Sequence, residues 1–434
     1  VTASLAVVLA VAANGSRRLE GLLLAAGIAG CVYATALLSP QFTITAVVLF
    51  GAGTLLALHA QGRVAMIAGA AAMLTLAFMI RPESFFMAAI VSAPALLLLS
   101  LPGAAAATPR TLLAIIAAVA AIGLATGWLA MQSAPAWRTA AHYNSLRAQF
   151  NDLNRVPWVP GAPAYQAAHW SANDYAIFMD WFSLNPIFDA PQLNRIIAEV
   201  ARPPLGSALQ RLAAWLGFLV AQRTIIASFA CQAAVWLLLP AQHRKAGALV
   251  LFGQALAAAA LAWSGRAPIP WVGAALADSG LLLTFGLRLD AGIARSPSTN
   301  RSVLPRLLVC IAAVALGAYV GNAVLKTQQA RQAFATGYRA WINSQAAEFR
   351  HPMVVWGDAL SWEVLITPVG NFPPFPGLIV AGLGGLARSP VQALVRSRLG
   401  LTQFSHAVCT DPQIRLLAGS VAMAQLARFC QEHE

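Results

Sequence analysis

Ten apolar stretches alternate with short connectors through the first 322 residues of this 434-residue chain, and Lys and Arg collect in every second connector. A run of about 20 apolar residues is the helix length that crosses a hydrocarbon core of about 30 Å. Lys and Arg in short loops stay preferentially on the cytoplasmic side. The runs fall at about 1–14, 20–38, 42–60, 64–80, 84–101, 110–130, 219–239, 247–263, 270–288 and 304–322. The inner connectors then carry Arg17 and Arg18, then Arg63, then Arg110; later come His243, Arg244 and Lys245, and Arg288, Arg295, Arg301 and Arg306. By elimination, 39–41, 81–83, 131–218, 265–268 and everything from 323 onward face the outside.

Composition narrows the class. With 59% hydrophobic and 10% charged residues and a mean hydropathy of +0.67, the chain reads as a polytopic membrane protein. A net charge of +13 would point to nucleic acid in a soluble protein. Here many basic residues sit in inner connectors, where anionic lipid and insertion bias explain them, and no recognition motif accompanies the charge. The expected partners therefore include membrane lipids and no nucleic acid.

The expected fold is an all-α polytopic membrane core of about ten transmembrane helices, with a large outer loop and a small α/β extracytoplasmic domain at the C-terminus. The expected boundaries are 1–130 for the first block of spans, 131–218 for the loop, 219–322 for four further spans and 323–434 for the tail. The loop holds Trp137, Trp158, Trp170, Trp181 and Trp215, and the apolar spacing across 195–219 predicts amphipathic helices lying in the membrane interface. Several of these tryptophans read as interfacial anchors. In the tail, 326–350 has a helical pattern, 352–356 reads as a buried strand, and 377–385 as flexible and apolar. Helices near 389–399 and 412–430 flank a strand at 405–409. Cys31, Cys231 and Cys310 lie in apolar spans and read as packing residues. Cys409 and Cys430 fall in the outer tail, where a disulfide and two unpaired thiols both stay open.

Arg81, Pro82 and Glu83 sit at an outer turn between the fourth and fifth spans. An Arg there can fork two hydrogen bonds onto a phosphate, Pro82 breaks the helix, and Glu83 can orient the guanidinium or a sugar hydroxyl; the alternative is an interfacial ion pair. Asn173, Asp174 and Asp180, with Trp181 beside them, supply the amides, carboxylates and rings that bind a pyranose, with Asp174 the weak choice for a catalytic base. Asp174 equally suits a helix cap after Ser171. Arg266, in an outer turn, can hold a phosphate or snorkel to headgroups. Asp278 lies inside the ninth span, where a carboxyl either faces a wet cavity or is protonated and bonded to a neighbouring helix. Asp358 and Glu363 fit turn and cap roles better than a ligand loop. His142, His169, His351, His406 and His433 show no metal spacing, so no metal ligand or cofactor is assigned.

This arrangement resembles the GT-C class of glycosyltransferases, integral membrane enzymes that transfer a sugar from a polyprenyl-phosphate carrier outside the cytoplasm. Gln41, Phe42 and Thr43, with Thr45 and Ala46, match the Gln/Phe/Thr-type element that opens the fourth helix of many relatives. Arg81, Pro82 and Glu83 match the triplet after the fifth, and 131–218 matches the large outer loop after the seventh. The match requires one helix and its outer loop upstream of Val1, and that loop is where the class carries its catalytic Asp or Glu. A looser resemblance links Ser171, Asn173, Asp174 and Tyr175, followed by Trp181 and Phe182, to an SxNDY…WF pattern of bacterial envelope-polysaccharide membrane proteins.

The resemblance implies an inverting transferase in the bacterial inner membrane, multi-pass, with the loop and tail outside. It would take a polyprenyl-phosphate sugar donor and a glycan, lipid or protein acceptor. Arg81, helped by Arg266, would hold the leaving phosphate, with Gln41 near the same headgroup. Divalent-cation dependence occurs in the class and has no visible motif here. The alternatives are a lipid-linked glycan transporter or flippase, using Asp278 and Arg266 along a path through the bundle, and a noncatalytic polysaccharide-assembly protein.

Overall fold

A computed structural model describes residues 1–14, 18–38, 41–60, 62–100, 108–153, 155–180, 182–201, 208–266, 268–293, 303–344, 353–356, 380–382, 388–398, 404–412 and 414–433. They form two compact units: residues 1–127, 208–263 and 267–330 in one, and 128–207, 264–266 and 331–434 in the other.

The first unit is all helix. Its elements are α1 (Thr2–Asn14), α2 (Arg18–Ile28), a π-helical turn (Ala29–Tyr33), α3 (Ala34–Leu38), α4 (Phe42–Leu58), α5 (Val64–Ile80), α6 (Pro82–Leu99) and α7 (Thr108–Ser133). After the second unit's first elements, numbered α8 to α11 below, come α12 (Ala208–Ala221), α13 (Arg223–Leu237), α14 (Ala241–Ser264), α15 (Pro270–Ile293) and α16 (Val303–Ser344). Each of the ten apolar runs is therefore helical.

Among the described residues, six helical segments are long and apolar enough to cross a membrane: Leu19–Leu37, Pro82–Leu99, Pro109–Gln132, His243–Ser264, Pro270–Leu289 and Leu304–Ala330. The expected seventh span, 219–239, holds α13, which meets α12 at an 87° bend at Gln222, and counting that pair as one span gives seven. α1, α4 and α5 are apolar but have 13, 17 and 17 residues. At 1.5 Å per residue these reach about 20 to 26 Å, short of a full hydrocarbon core.

Burial distinguishes the helices as composition could not. α15 and α4 pack on each other and are almost wholly buried, with α13, α5 and α6 against them, whereas α7 is almost wholly exposed. All are apolar on every face. In lipid, apolar surface gains little from leaving one hydrocarbon neighbour for another, so close backbone approach and internal polar bonds set the packing. A Cβ at Gly27 would come within 2.6 Å of the Ala313 carbonyl oxygen, and one at Gly30 would meet the Gly317 backbone. Glycine at these positions lets α2 and the π-helical turn approach α16.

Polar ties complete this unit. Gln232 and Gln254 exchange two amide hydrogen bonds of 3.1 Å, Gln254 Nε2 also donates to the Leu276 carbonyl at 3.0 Å, and Gln232 Nε2 reaches Thr284 Oγ1 at 3.3 Å. Ser4 Oγ donates to the Val48 carbonyl at 3.1 Å, joining α1 to α4. Arg288 pairs with Glu20, joining α15 to α2. Phe85 lies edge-on to Phe50, Phe78 and Phe86 at 5.3, 5.4 and 5.8 Å.

The second unit joins the large loop to the tail in one hydrophobic core. Its elements are α8 (Pro135–Asn151), α9 (Pro163–Ala167), α10 (Ala172–Met179), a 3₁₀ turn (Pro186–Phe188), α11 (Ala190–Val200), β1 (Met353–Val355), β2 (Val380–Gly382), α17 (Pro390–Arg398), α18 (Phe404–Thr410), β3 (Arg415–Leu417) and α19 (Ser420–His433). The strands form a parallel sheet in the order β2-β1-β3, with Met353 opposite both Val380 and Arg415. Phe150, Trp170, Phe178, Phe182 and Phe188 from the loop pack with Trp356, Leu426 and Phe429 from the tail.

Several expectations change here. The segment 405–409 lies in helix α18, and the neighbouring strand is Arg415–Leu417. β2 lies within the stretch expected to be flexible. α11 buries Leu193, Ile196 and Val200 and packs against α8 and α9, so its apolar face meets protein where an interfacial helix was expected. Trp170 and Trp215 are buried, not anchors, while Trp137 stays exposed.

Arg388 staples tail to loop. It donates to the Ser183 and Asn185 carbonyls at 2.9 and 2.6 Å, pairs with Asp189, and lies 4.7 Å from the Tyr143 ring centre. Burial raises the Tyr143 hydroxyl pKa against the opposing pull of Arg388, Ser183 and Arg147. Arg388 holds a φ of 64°, an uncommon backbone state for a residue with a side chain, retained where surrounding contacts fix it.

Candidate functional site

In the first unit, the two motifs that carried the family resemblance meet. Arg81 ends α5 in extended conformation with φ −158° and serves at once as the N-cap of α6, because Pro82 can open a helix but cannot continue one. That junction sends the guanidinium to the start of α4. Arg81 Nη1 donates to Thr43 Oγ1 at 2.8 Å, and the guanidinium carbon lies 5.3 Å from the centre of the Phe42 ring. Glu83 Oε2 is 3.8 Å from Arg81 Nε and is largely exposed. Gln41 is the N-cap of α4, and its side chain makes no capping bond. A cation, a hydroxyl, a ring face and an exposed carboxylate thus gather at one set of helix ends. The gathering can present positive charge to a phosphate while Glu83 orients the guanidinium.

Asp278 lies within α15 of the same unit. It is buried, and its Oδ2 has no hydrogen-bond partner among the described residues. The π-helical turn places Cys31 and Tyr33 within electrostatic range of it, and Cys231 and Ser228 stand by Cys31. A buried carboxyl in apolar surroundings does not suit an anionic ligand.

The remaining candidates belong to the second unit. Ser171 is the N-cap of α10: its Oγ accepts from the backbone N–H groups of Asn173 and Asp174, both at 3.1 Å, and Asp174 Oδ2 accepts from Ser171 N at 2.7 Å. This reciprocal capping satisfies N–H groups left open at a helix start. Asp174 is fully buried, and its Oδ1 faces His433 Nε2 at 2.9 Å. Asn173 Nδ2 donates to the Gln425 carbonyl at 3.0 Å. Asp180 caps the C-terminus of α10, and its carbonyl accepts from Trp356 Nε1 at 2.6 Å. Arg266 lies in the short turn after α14, half-buried. Trp181, Asp358, Glu363 and His351 lie outside the described residues. Cys409 and Cys430 form a disulfide with a Cα–Cα distance of 5.6 Å, tying α18 to α19.

Sequence reasoning missed Glu432 and set His433 aside for want of metal spacing; both lie at the end of α19. Their ligand atoms and that of Asp174 lie within 4.8 Å of one another. Glu432 Oε2 accepts from Ser171 Oγ at 2.7 Å and Oε1 from Arg428 Nε at 2.8 Å. Partial burial pushes the Glu432 carboxyl upward, but bonds from Ser171 and Arg428 and the charges of Arg428 and His433 outweigh it and hold the pKa below its ordinary 4.5. No sequence signal precedes this cluster, since 259 positions separate Asp174 from His433.

Comparison with protein-family models, curated proteins and solved structures gives no match to this chain.

Proposed function

We propose that this chain works in transfer of a sugar from a polyprenyl-phosphate carrier to an acceptor on the extracytoplasmic face of a bacterial plasma membrane. The reading rests on one observation, the hydrogen bond that brings Arg81 onto Thr43 beside Phe42. Two motifs named for their resemblance to one enzyme class lie 38 positions apart in sequence and share a hydrogen bond in space. A guanidinium fixed in direction before substrate arrives needs little reorganisation as negative charge develops on a leaving phosphate, the condition under which cations accelerate most. Thr43 and Phe42 fix that direction, and Glu83 and Gln41 flank it.

In the same proposal the Arg-bearing connectors lie inside, the Arg81 turn lies outside, and α1, α4, α5 and the bent α12–α13 pair accompany the six long helices through the bilayer. Asp174 is not assigned the catalytic base, because both its oxygens are engaged in holding α10 and facing His433.

The test is sugar transfer from a polyprenyl-phosphate donor by the purified protein and its Arg81→Ala variant. Turnover is expected to fall by about 10²- to 10³-fold, the scale seen when one preorganised charge-stabilising group is removed. Unchanged turnover removes the assignment.

A further inference from the structure

We propose that Asp174, Glu432 and His433 form a binding site for one divalent transition-metal ion, with Zn²⁺ as the ion that best fits the donor set. Imidazole nitrogen and carboxylate oxygen are both Zn²⁺ ligands, and carboxylate oxygen also suits Mn²⁺. The three ligand atoms lie within 4.8 Å of one another. Ligands bound at about 2.0–2.2 Å stand roughly 3–4 Å apart around a metal, and the Asp174 Oδ1 to His433 Nε2 distance is already 2.9 Å.

Two of the three ligands are held before any ion arrives. Asp174 is fixed by the Ser171 backbone N–H at 2.7 Å, and the His433 ring packs on Phe429 with centres 4.6 Å apart. Glu432 needs to turn inward, and Arg428, which now bonds it, is mostly exposed and can turn outward.

Burial supplies the independent argument. Asp174 has zero exposure, and the His433 imidazole faces it. An ionised carboxylate away from water requires a compensating charge. A divalent ion between the three ligand atoms provides one. Binding puts the metal on the Nε2 lone pair of His433: an imidazolium ring releases its Nε2 proton to solvent, whereas a neutral Nε2-H ring moves that proton to Nδ1 and releases none.

The experiment uses the full chain, free of affinity tags, stripped with a chelator and titrated with Zn²⁺ in detergent. One equivalent is expected to bind. His433→Ala should weaken the affinity at least tenfold, and Glu432→Gln should weaken it less. Mn²⁺ should compete, and its paramagnetic resonance spectrum should lose coordinated nitrogen in His433→Ala. Asp174→Asn threatens the α10 cap as well as the ligand, so Ser171→Ala is the control: it removes the Oγ half of the cap and the Ser171 bond that holds Glu432 Oε2 away from the ion, keeps all three ligands, and should bind Zn²⁺ within about threefold of the native chain. Failure of the stripped native chain to bind Zn²⁺, or equal affinity in His433→Ala, overturns the proposal. Neither result depends on glycosyl transfer, so this site and the Arg81 assignment can fail separately.

Discussion

The fully buried carboxylate of Asp174 faces the imidazole Nε2 of His433 at 2.9 Å, joining the first turn of α10 to the last turn of α19. Through this contact a helix from the large loop and the terminal helix of the tail hold each other. The bond also settles what Asp174 does locally: one oxygen caps α10 and the other faces α19.

Removing the Ser171 hydroxyl tests the loop side of that contact. Ser171→Ala is expected to destabilise the second unit by about 1 kcal/mol through loss of the N-cap. Denaturant titration followed by tryptophan fluorescence measures it, and Ser171→Asn, which can still cap, should recover most of the loss.

Acid weakens the same junction from the tail side. The folded-state pKa of Glu432 lies below its ordinary 4.5, so its contribution to stability is present above 4.5 and is lost as pH falls through the depressed value. Hydrogen exchange at the end of α19 should therefore accelerate, after correction for intrinsic rates, as pH is lowered below about 4.5. Glu432→Gln should flatten that dependence; an identical pH profile in the variant contradicts the assignment.

The Cys409 to Cys430 bridge spans 21 positions. Closing a loop of that length removes unfolded-chain entropy equivalent to about 3 kcal/mol. Paired Cys409→Ser and Cys430→Ser substitutions should lower the unfolding free energy of the second unit by that amount. Reductant should reproduce the shift in the native chain and leave the double variant unmoved.

Inside the bundle, Gly280 leaves room for the Gln254 amide, which a Cβ at that position would strike. Gly280→Val should cost about 1–3 kcal/mol from overpacking, together with loss of the Gln232–Gln254 bonds. Thermal unfolding in detergent reads this out; a midpoint equal to that of the native chain would show that the two helices separate without penalty.

Glu20 and Arg288 provide a charge test in the same unit. Arg288→Ala removes the guanidinium from a largely buried carboxylate and should destabilise by roughly 3–5 kcal/mol, while the combined change of both residues to Leu should restore much of it. Equal losses for the single and double variants would show that no pairing energy is present.

The sequence determined the helices themselves. Apolar runs leave their backbone groups only one internal solution in hydrocarbon, so all ten runs became helical at close to the expected positions. It also located the Arg81 turn, because Pro82 breaks one helix and starts the next whatever surrounds it. The 87° bend at Gln222 was not legible, since an apolar run has no periodicity to mark where a helix turns. Nor was the central position of α15 against the exposed one of α7, because uniformly apolar helices look alike until small residues and polar bonds choose their neighbours. The strand at 415–417 was misplaced because segments this short carry little local preference and are fixed by the parallel ladder they join. Tertiary structure alone brought Arg81 to Thr43, joined loop to tail, and set Glu432 and His433 beside Asp174. Side-chain chemistry is written locally along a chain, but which groups meet across 38 or 259 positions is decided by packing and burial, which no local spacing records.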